Sequence, residues 1–485
     1  MGYHRILFCI PPITKKPRAP FVGIGYLSTF LTFHGIENDV IDMTLGYKAK
    51  DLFKKIESQK PDLVAFFLMT HKYEITYNLI YQVQKKYGID TVIGGPHVST
   101  LRKQSLKESD ATFAIKLEGE YTLLDLIKGK KFKEIDGLIY RNNGIIIENP
   151  DRKFIHNLDN IPFPTYEKFE LKKYHDTAIP IITSRGCPYN CIYCPVKAAI
   201  GKQFRMRNAE NVLEEIEYWY EKGYRKFDFQ DDNFTLKPER VKRICSIIKE
   251  KRWNDLILNC PNGVRADKID RDLLKLMRNA GFKTLAFGVE AGNNRILKNI
   301  KKGEKIETIE NAINDACGMG FDVILFFLVG SPGETVLDVE DSIKLALKYP
   351  IIDAFFYSLV PYPETKLYDW VKKNNYFIVD PDKYLSTASG NTCGPLFATP
   401  EFPSEERERI LKLTKKIRRE IRKKSIIRRY GFSGRLFADI FSSDFADKHL
   451  INNKFFSLLY DRYLMIHRNQ NRNYNYERVG DLRDR

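Results

Sequence analysis

Three cysteines crowd into one short stretch, "ITSRGCPYNCIYCPVK", where Cys187, Cys191 and Cys194 stand in the spacing C-x3-C-x2-C. Thiolates are soft ligands that select zinc, copper(I) and iron–sulfur clusters. A structural zinc site wants four ligands, normally in two pairs. No second pair is present, because Cys9, Cys245, Cys260, Cys317 and Cys393 are scattered singly. A [4Fe–4S] cluster normally takes four thiolates, so three leave one iron with an open position. An open position on a metal is where chemistry happens. The competing readings are an incomplete zinc loop and chance clustering, and the placement of the loop weighs against both.

The loop follows directly on "AIPIITS", which reads as a strand. Further strands are expected at "KFDFQ", "LILNC", "TLAFGVE", "VILFFLVG" and "AFFYSLVP", with helical patterns between them. Six strands in about 190 residues suit an incomplete β/α barrel, and the cysteines fall at the carboxyl end of its first strand, where such folds place chemistry. The first part of the chain has its own alternation. Strands at "RILFCI", "NDVIDM", "PDLVAFFL" and "DTVIGGP" are separated by helical stretches, which predicts a doubly wound parallel sheet. Near residue 136 the rhythm breaks into a hairpin, "GLIYRNNGIIIE", and a Pro-containing connector, "NLDNIPFPTYE". The expected architecture is therefore α/β throughout its first two parts. A doubly wound domain covers residues 1–135, a hairpin and linker 136–172, a partial (β/α)6 barrel 173–395, and a basic helical region 396–485. No repeat of solenoid period is present.

C-x3-C-x2-C after the first strand of a partial barrel, with Tyr193 just before the last cysteine, resembles the signature of radical S-adenosylmethionine enzymes over roughly residues 173–380. The resemblance implies that Cys187, Cys191 and Cys194 hold a [4Fe–4S] cluster whose open iron chelates S-adenosylmethionine. One electron then frees a 5′-deoxyadenosyl radical. "FQDDNF" ends the second barrel strand where the family carries a Gly-Gly-Glu-like motif, so Asp231, Asp232 and Asn233 resemble the contacts to the methionyl amine. The departure from Gly-Gly-Glu leaves their individual roles open, and a helix N-cap competes for Asn233. "PNGVRAD", with Asn262 and Arg265, and "GVEAG", with Glu290, end the next two strands as if to face the cofactor's ribose and carboxylate. A plain salt bridge is the competing reading for Arg265. "VGSPGET" closes the fifth strand, where Gly330 would let backbone approach a ligand.

Residues 1–135 resemble the cobalamin-binding domain that precedes the radical core in one branch of that superfamily. The matching pieces are "GIGYLSTFL", "FFLMTH", "GGPHVS" and "LEGEYTLLDL". Gly94 and Gly95 at a strand end suit a nucleotide tail threaded against the sheet, with an ordinary Gly-Gly turn as the alternative. The Asp-x-His-x-x-Gly motif of His-ligated cobalamin proteins is absent, and "PPITKKPRAPFVGIG" stands in its place. Neither His71 nor His97 is expected to bind cobalt; His97 is read as shaping its loop. Cys9 is the single cysteine of this domain, which disfavours the two-cluster methylthiotransferase branch.

Composition sets the remaining bounds. An apolar fraction of 43% is that of a folded protein. "MGYHRILFCIPP" lacks a long apolar core and no apolar run reaches the length of a membrane span, so a reducing, cytoplasmic setting is expected. The net charge is +17, and from residue 401 onward 21 Lys and Arg stand against 12 Asp and Glu. "LTKKIRREIRKKSIIRRYGF", "GRLFADIF" and "NKFFSLLYDRYLMIHR" combine cations with apolar residues at helical spacing, which makes this region a candidate peripheral contact with an anionic membrane. The alternative is that Ile417, Ile421, Ile426 and Ile427 pack across the barrel. Nucleic acid is disfavoured, and a basic binding protein with an inert core is opposed by the cysteine triad. The resemblance implies a [4Fe–4S] cluster, S-adenosylmethionine and cobalamin as cofactors. It also implies an electron donor such as flavodoxin or ferredoxin, and a small-molecule or lipid substrate. The leading reading is a C-methyltransferase acting on an unactivated carbon. The alternative is a rearrangement, cyclisation or bond formation without methyl transfer. No catalytic residue beyond the cofactor contacts is assigned.

Overall fold

Short apolar strands alternate with amphipathic helices from the start of the chain. Strands β1 (Arg5–Ile10), β2 (Glu37–Asp42), β3 (Leu63–Phe67), β4 (Asp90–Gly94) and β5 (Phe113–Ile115) are parallel. Between them run α1 (Val22–Phe33), α2 (Ala49–Gln59), α3 (Tyr73–Tyr87) and the short α4 (Pro96–Leu101) and α5 (Lys103–Lys107), and α6 (Glu120–Ile127) follows. The computed structural model describes residues 2–13, 19–174, 178–388 and 393–443. Alternate residues of β1 enter different cores: Ile6, Phe8 and Ile10 one, Leu7 and Cys9 the other. A strand buried on both faces is what a doubly wound sheet requires. The order β2-β1-β3-β4-β5-β6-β7 reverses direction between β1 and β3, which opens a crevice at the carboxyl ends.

The hairpin β6 (Leu138–Asn142) and β7 (Ile145–Glu148) forms at the predicted place, but it is not a separate linker element. It pairs antiparallel with β5, Phe113 opposite Tyr140, and extends the first sheet to seven strands. The buried Lys116 fastens it further, donating to Glu148 at 2.9 Å and to the Asn149 carbonyl at 2.9 Å.

The second sheet begins with β8 (Ile179–Ile181). A two-residue ribbon, β9 (Ser184–Arg185) with β10 (Arg205–Met206), brackets the cysteine loop and α7 (Val196–Ile200). Next come α8 (Ala209–Glu221), β11 (Lys226–Phe229), α9 (Pro238–Glu250), β12 (Ile257–Val264) and α10 (Arg271–Asn279). They are followed by β13 (Phe282–Glu290), α11 (Asn294–Asn299), α12 (Ile306–Gly318), β14 (Asp322–Val329), α13 (Val336–Lys348) and β15 (Asp353–Ser358). The six parallel strands lie in the order β15-β14-β13-β12-β11-β8, an open arc in chain order as expected for a partial barrel. Phe227, Phe229, Leu285, Phe287, Leu325 and Phe327 face the core. The intervening Asp228 and Asn259 meet at 2.8 Å on the other face.

Past the short helices α14 (Lys366–Lys373) and α15 (Pro381–Tyr384), α16 (Ser404–Phe441) packs against β15 and α13. Ile410 and Ile421 are buried there and Ile417 is partly buried, each fully buried side chain contributing about 1.5–3 kcal/mol. Arg418 makes a two-pronged contact with Asp353, both bonds 2.8 Å, and Arg429 pairs with Asp322. Much of the basic region is thus a structural cap on the last barrel strand. Beyond a break in helical geometry at Gly431, Phe432, Leu436, Phe437 and Ile440 are exposed. The stretch "NKFFSLLYDRYLMIHR" lies outside the described residues. Among the described residues, no helix is long and apolar enough to cross a membrane.

Candidate active site

The cysteine loop is held at both sides. The Ile192 amide donates to the Ile300 carbonyl at 3.1 Å, and the Leu367 amide to the Ile192 carbonyl at 3.0 Å, so α11 and α14 grip its middle. The Cys187 amide reaches back to the Gly201 carbonyl at 3.3 Å. Cys187, Cys191 and Cys194 are free and half-buried. Burial pushes all three thiols up, Cys194 to about 12, while the Lys302 cation partly offsets this at Cys191. Among the described residues, no three His, Cys, Asp or Glu converge tightly enough for a single metal ion. A cluster binds each thiolate to a different iron, so it asks for ligands that stand further apart. Three thiols on one short loop, with no fourth ligand beside them among the described residues, are the donor set a cluster with one open iron would use.

The strand-end residues read from the sequence take different positions. Asn233 is 1% exposed, and neither its Oδ1 nor its Nδ2 has a partner. It stands at the N-cap position of a single 3-10 turn, Phe234–Leu236, but its side chain makes no capping bond, and α9 starts only at Pro238. An unpaired buried amide one residue from Asp232, at the end of β11, fits a ligand contact. Asp232 projects at the mouth of the site; crowding by the protein and the neighbouring Asp231 push its carboxyl above the usual range. Asp231 itself is committed to the fold. It accepts from the Thr183 amide at 2.7 Å, from Thr183 Oγ1 at 2.6 Å and from Ser184 Oγ at 2.5 Å, with Arg240 at 3.7 Å. That geometry ties β11 to the strand leading into the cysteines, so both oxygens of the carboxylate read from the sequence as an amine contact already accept bonds from the protein.

Glu290 ends β13 at φ +70, an uncommon backbone for a residue with a side chain, over a register shift against β14. It pairs with Lys302 at 3.1 Å, and Lys302 stands 3.6 Å from Glu304. Tyr193 lies against both Glu290 and Cys191. Arg265 is indeed ion-paired, to Asp267 at 2.9 Å and Glu304 at 3.6 Å, and its guanidinium also covers the Tyr189 ring at 3.5 Å. It therefore braces the cysteine loop from beneath. Asn262 donates to the Gln230 carbonyl at 2.8 Å. Gly330 differs from expectation. A Cβ there would meet Arg407 Nη1 at 2.6 Å, so the clearance at φ +108 is taken by the guanidinium from α16. Lys302 escaped the sequence reading because "NIKKGEKIE" looks like a solvated charge run, with no local sign that one lysine turns inward.

A cavity of about 250 Å³ lies at the carboxyl ends of the first sheet. Phe8, Ala65 and Val92 form its floor, Gly23, Ile24 and Leu27 of α1 one wall, and Gly94 and Gly95 its rim. Gly95 sits at φ +123, and a Cβ there would meet the Leu68 carbonyl at 2.7 Å, so the fold itself demands glycine. Ser184, Arg185, Gln230 and Asp232 of the barrel close the other side. A slot of this size and apolar lining fits a flat apolar ring, such as the base that ends a cobalamin's nucleotide tail. His97 does not line it; fully buried, it contacts Tyr77 at 3.1 Å and Thr70 at 3.2 Å and stacks on Tyr73, which shapes the loop.

Comparison with known proteins agrees with this layout. The Radical SAM superfamily model matches residues 181–346, and the B12 binding domain model matches residues 15–127. The chain is 29% identical over 452 residues to an uncharacterised methyltransferase of Pyrococcus horikoshii, covering 89% of this chain and 96% of that one. It is 28% identical over 375 residues to the anaerobic magnesium-protoporphyrin IX monomethyl ester cyclase of Rubrivivax gelatinosus, covering 72% and 66%. Two solved structures share the fold. The radical S-adenosylmethionine methyltransferase TsrM from Kitasatospora setae, with cobalamin and a [4Fe–4S] cluster bound, has a TM-score of 0.67 at 20% identity, covering 84% of this chain and 81% of that one. The cobalamin-dependent S-adenosylmethionine radical enzyme OxsB, with aqua-cobalamin and S-adenosylmethionine bound, has a TM-score of 0.70 at 17% identity, covering 96% and 75%.

Proposed function

For this chain, a radical S-adenosylmethionine enzyme that carries a [4Fe–4S] cluster and cobalamin, we propose methyl transfer to an unactivated carbon of a lipid or natural-product-type small molecule. The observation that carries the reading is adjacency: the cavity of the first sheet is walled on its far side by Ser184, Arg185, Gln230 and Asp232, which flank the cysteine loop or end the neighbouring strand. Two adjacent sites can act on one substrate atom in turn. The name of the Pyrococcus horikoshii relative, which spans nearly the whole chain, points the same way.

In this reading Cys187, Cys191 and Cys194 are the cluster ligands. Asp232, Asn233 and Glu290 meet S-adenosylmethionine, carboxylates suiting its ammonium group. Asp231 and Arg265 hold those groups in place, Gly94 and Gly95 pass the cobalamin tail, and Gly330 seats Arg407. When bound, the cluster with S-adenosylmethionine supplies a 5′-deoxyadenosyl radical, and cobalamin carries the methyl group. The residues around them exclude water and fix geometry. A one-electron donor of flavodoxin or ferredoxin type completes the system.

Product analysis tests this. The anaerobic enzyme is given S-adenosylmethionine, reductant and a metabolite extract of the source organism. Substrate-dependent S-adenosylhomocysteine together with 5′-deoxyadenosine is the predicted outcome. Substrate-dependent 5′-deoxyadenosine alone would replace methyl transfer by rearrangement, cyclisation or bond formation, the reading favoured by the cyclase relative.

The exposed Phe432, Leu436, Phe437 and Ile440 fall on one side of the last helical stretch. With the cations around them they support a peripheral seat on an anionic bilayer, useful to an enzyme whose substrate is water-insoluble. Flotation with anionic vesicles should show salt-sensitive binding of the full chain, weakened by Leu436→Ser with Phe437→Ser. No binding at low salt would retire the membrane seat.

A further inference from the structure

The ribbon that brackets the cysteine loop is fastened to the first domain by four buried charges. Arg185 and Arg205 are cross-strand partners in β9 and β10. Arg185 donates to Glu118 at 2.9 Å and to Glu120 at 2.7 Å. Arg205 reaches both oxygens of Glu118, at 2.7 and 2.8 Å. The side chains of Arg185, Arg205, Glu118 and Glu120 are only 13, 2, 7 and 5% exposed. Glu118 also accepts from the Ile155 amide at 2.8 Å, Arg205 donates to the Ile155 carbonyl at 2.9 Å, and Arg185 lies 5.0 Å over the Tyr26 ring.

The positions matter more than the count of bonds. Arg185 stands two residues before Cys187, in the last turn of chain before the loop. Glu118 and Glu120 flank the turn between β5 and α6, and with Arg185 they form part of the cavity wall. A carboxylate pair on the cobalamin side and a guanidinium pair on the cluster side therefore meet along the line between the two cofactor sites. Arg185 spans two carboxylates with its two terminal nitrogens and Glu118 is shared by both arginines, so the four groups fix distance and angle together, which a single contact does not. The buried groups are further held by the Ile155 backbone and by the Ile200 carbonyl, which accepts from Arg205 at 3.3 Å, so the arrangement is over-determined.

We propose that Arg185, Arg205, Glu118 and Glu120 form a positioning clamp that sets the spacing between the [4Fe–4S] cluster and the corrin. The proposal rests on the reading that Cys187, Cys191 and Cys194 hold the cluster and that the first-sheet cavity holds cobalamin.

The test reads that spacing directly in the full-length enzyme loaded with both cofactors. The electron spin of cob(II)alamin relaxes faster when a reduced cluster is close, and the effect falls steeply with distance. Wild-type enzyme should show this enhancement; Arg185→Met and Glu120→Gln should lose much of it while iron and cobalamin remain bound, and Arg185→Lys should restore part. Unchanged relaxation in a loaded Arg185→Met or Glu120→Gln protein would overturn the clamp. Glu120→Gln removes one charge and keeps the shape and the Arg185–Glu118 pair, so it decides the matter should Arg185→Met fail to fold. Wild-type enzyme that takes up neither cluster nor cobalamin would defeat the underlying site reading instead, and the clamp with it.

Discussion

The Asn233 amide is buried with both its polar atoms unengaged, a state that costs about 1–3 kcal/mol in the absence of a partner. Removing it should therefore relieve the fold and harm the ligand. Asn233→Ala is expected to keep or raise the melting temperature while weakening S-adenosylmethionine roughly tenfold or more, read by calorimetry on the cluster-loaded protein. A lowered melting temperature with unchanged affinity would make Asn233 structural. His97 gives a pH prediction. Burial lowers its pKa from 6.5 to about 4, so the folded chain keeps the imidazole neutral where the unfolded chain binds a proton. Stability from this source is present above about pH 6.5 and drains away as pH falls toward 4, by up to about 3 kcal/mol. Denaturant titrations at pH 7 and 4.5 should show the loss, and His97→Gln should flatten it; equal pH slopes for the two proteins would contradict the assignment. At this scale the sequence was legible where a residue type is rare in its setting, as for three clustered thiols or Glu290 between glycines. Asp231 and Gly330 stand out in the sequence, but their partners, Thr183 with Ser184 and Arg407, do not, because a partner 47 or more residues away leaves no local mark. Lys302 and the two carboxylates of "LEGE" were missed as site residues for the same reason.

The elements followed the hydrophobic pattern closely. Buried strands such as "RILFCI" and "VILFFLVG" declare themselves by apolar runs bounded by turns. The three-residue β5 and the two-residue ribbon β9–β10 carry no such pattern, since tertiary pairing alone makes them strands. The hairpin was recognised by its turn, but its membership in the first sheet depends on the edge offered by that short β5. On α16 the apolar stripe was visible, whereas the ion pairs to Asp353 and Asp322 that turn cations into cap contacts were not. Helix α1 offers a test of the cavity as a cobalamin slot. Gly23 lines it, and a Cβ there would meet nothing within 4 Å. Gly23→Leu should raise helix propensity by roughly 0.5–1 kcal/mol and leave the fold intact while filling the slot. Cobalamin binding, followed by its visible absorption after gel filtration, should then be lost. A Gly23→Leu protein that binds cobalamin as the wild type does would move the tail elsewhere.

At the scale of the molecule, the parallel strands of the two sheets turn their carboxyl ends toward each other across one cavity. Contacts far apart in sequence hold them there: Tyr26 donates to the Ile182 carbonyl at 3.1 Å, Tyr174 to Asp42 at 2.7 Å, and the Lys72 amide to the Ser386 carbonyl at 2.6 Å. Each sheet was legible as a sheet, but their mutual facing was not, since it rests on single polar side chains such as Tyr26 rather than on any periodic pattern. That facing gives the account its central claim, that the cysteine triad and the first-sheet cavity load separate cofactors within one enzyme. The most direct measurement is iron and cobalamin content of the anaerobically reconstituted full chain beside Cys191→Ala, together with 5′-deoxyadenosine formed from S-adenosylmethionine and reductant. The account predicts about four irons and about one cobalamin per wild-type chain, with Cys191→Ala losing its iron and all cleavage while keeping cobalamin. A Cys191→Ala protein with full iron that still makes 5′-deoxyadenosine would contradict it.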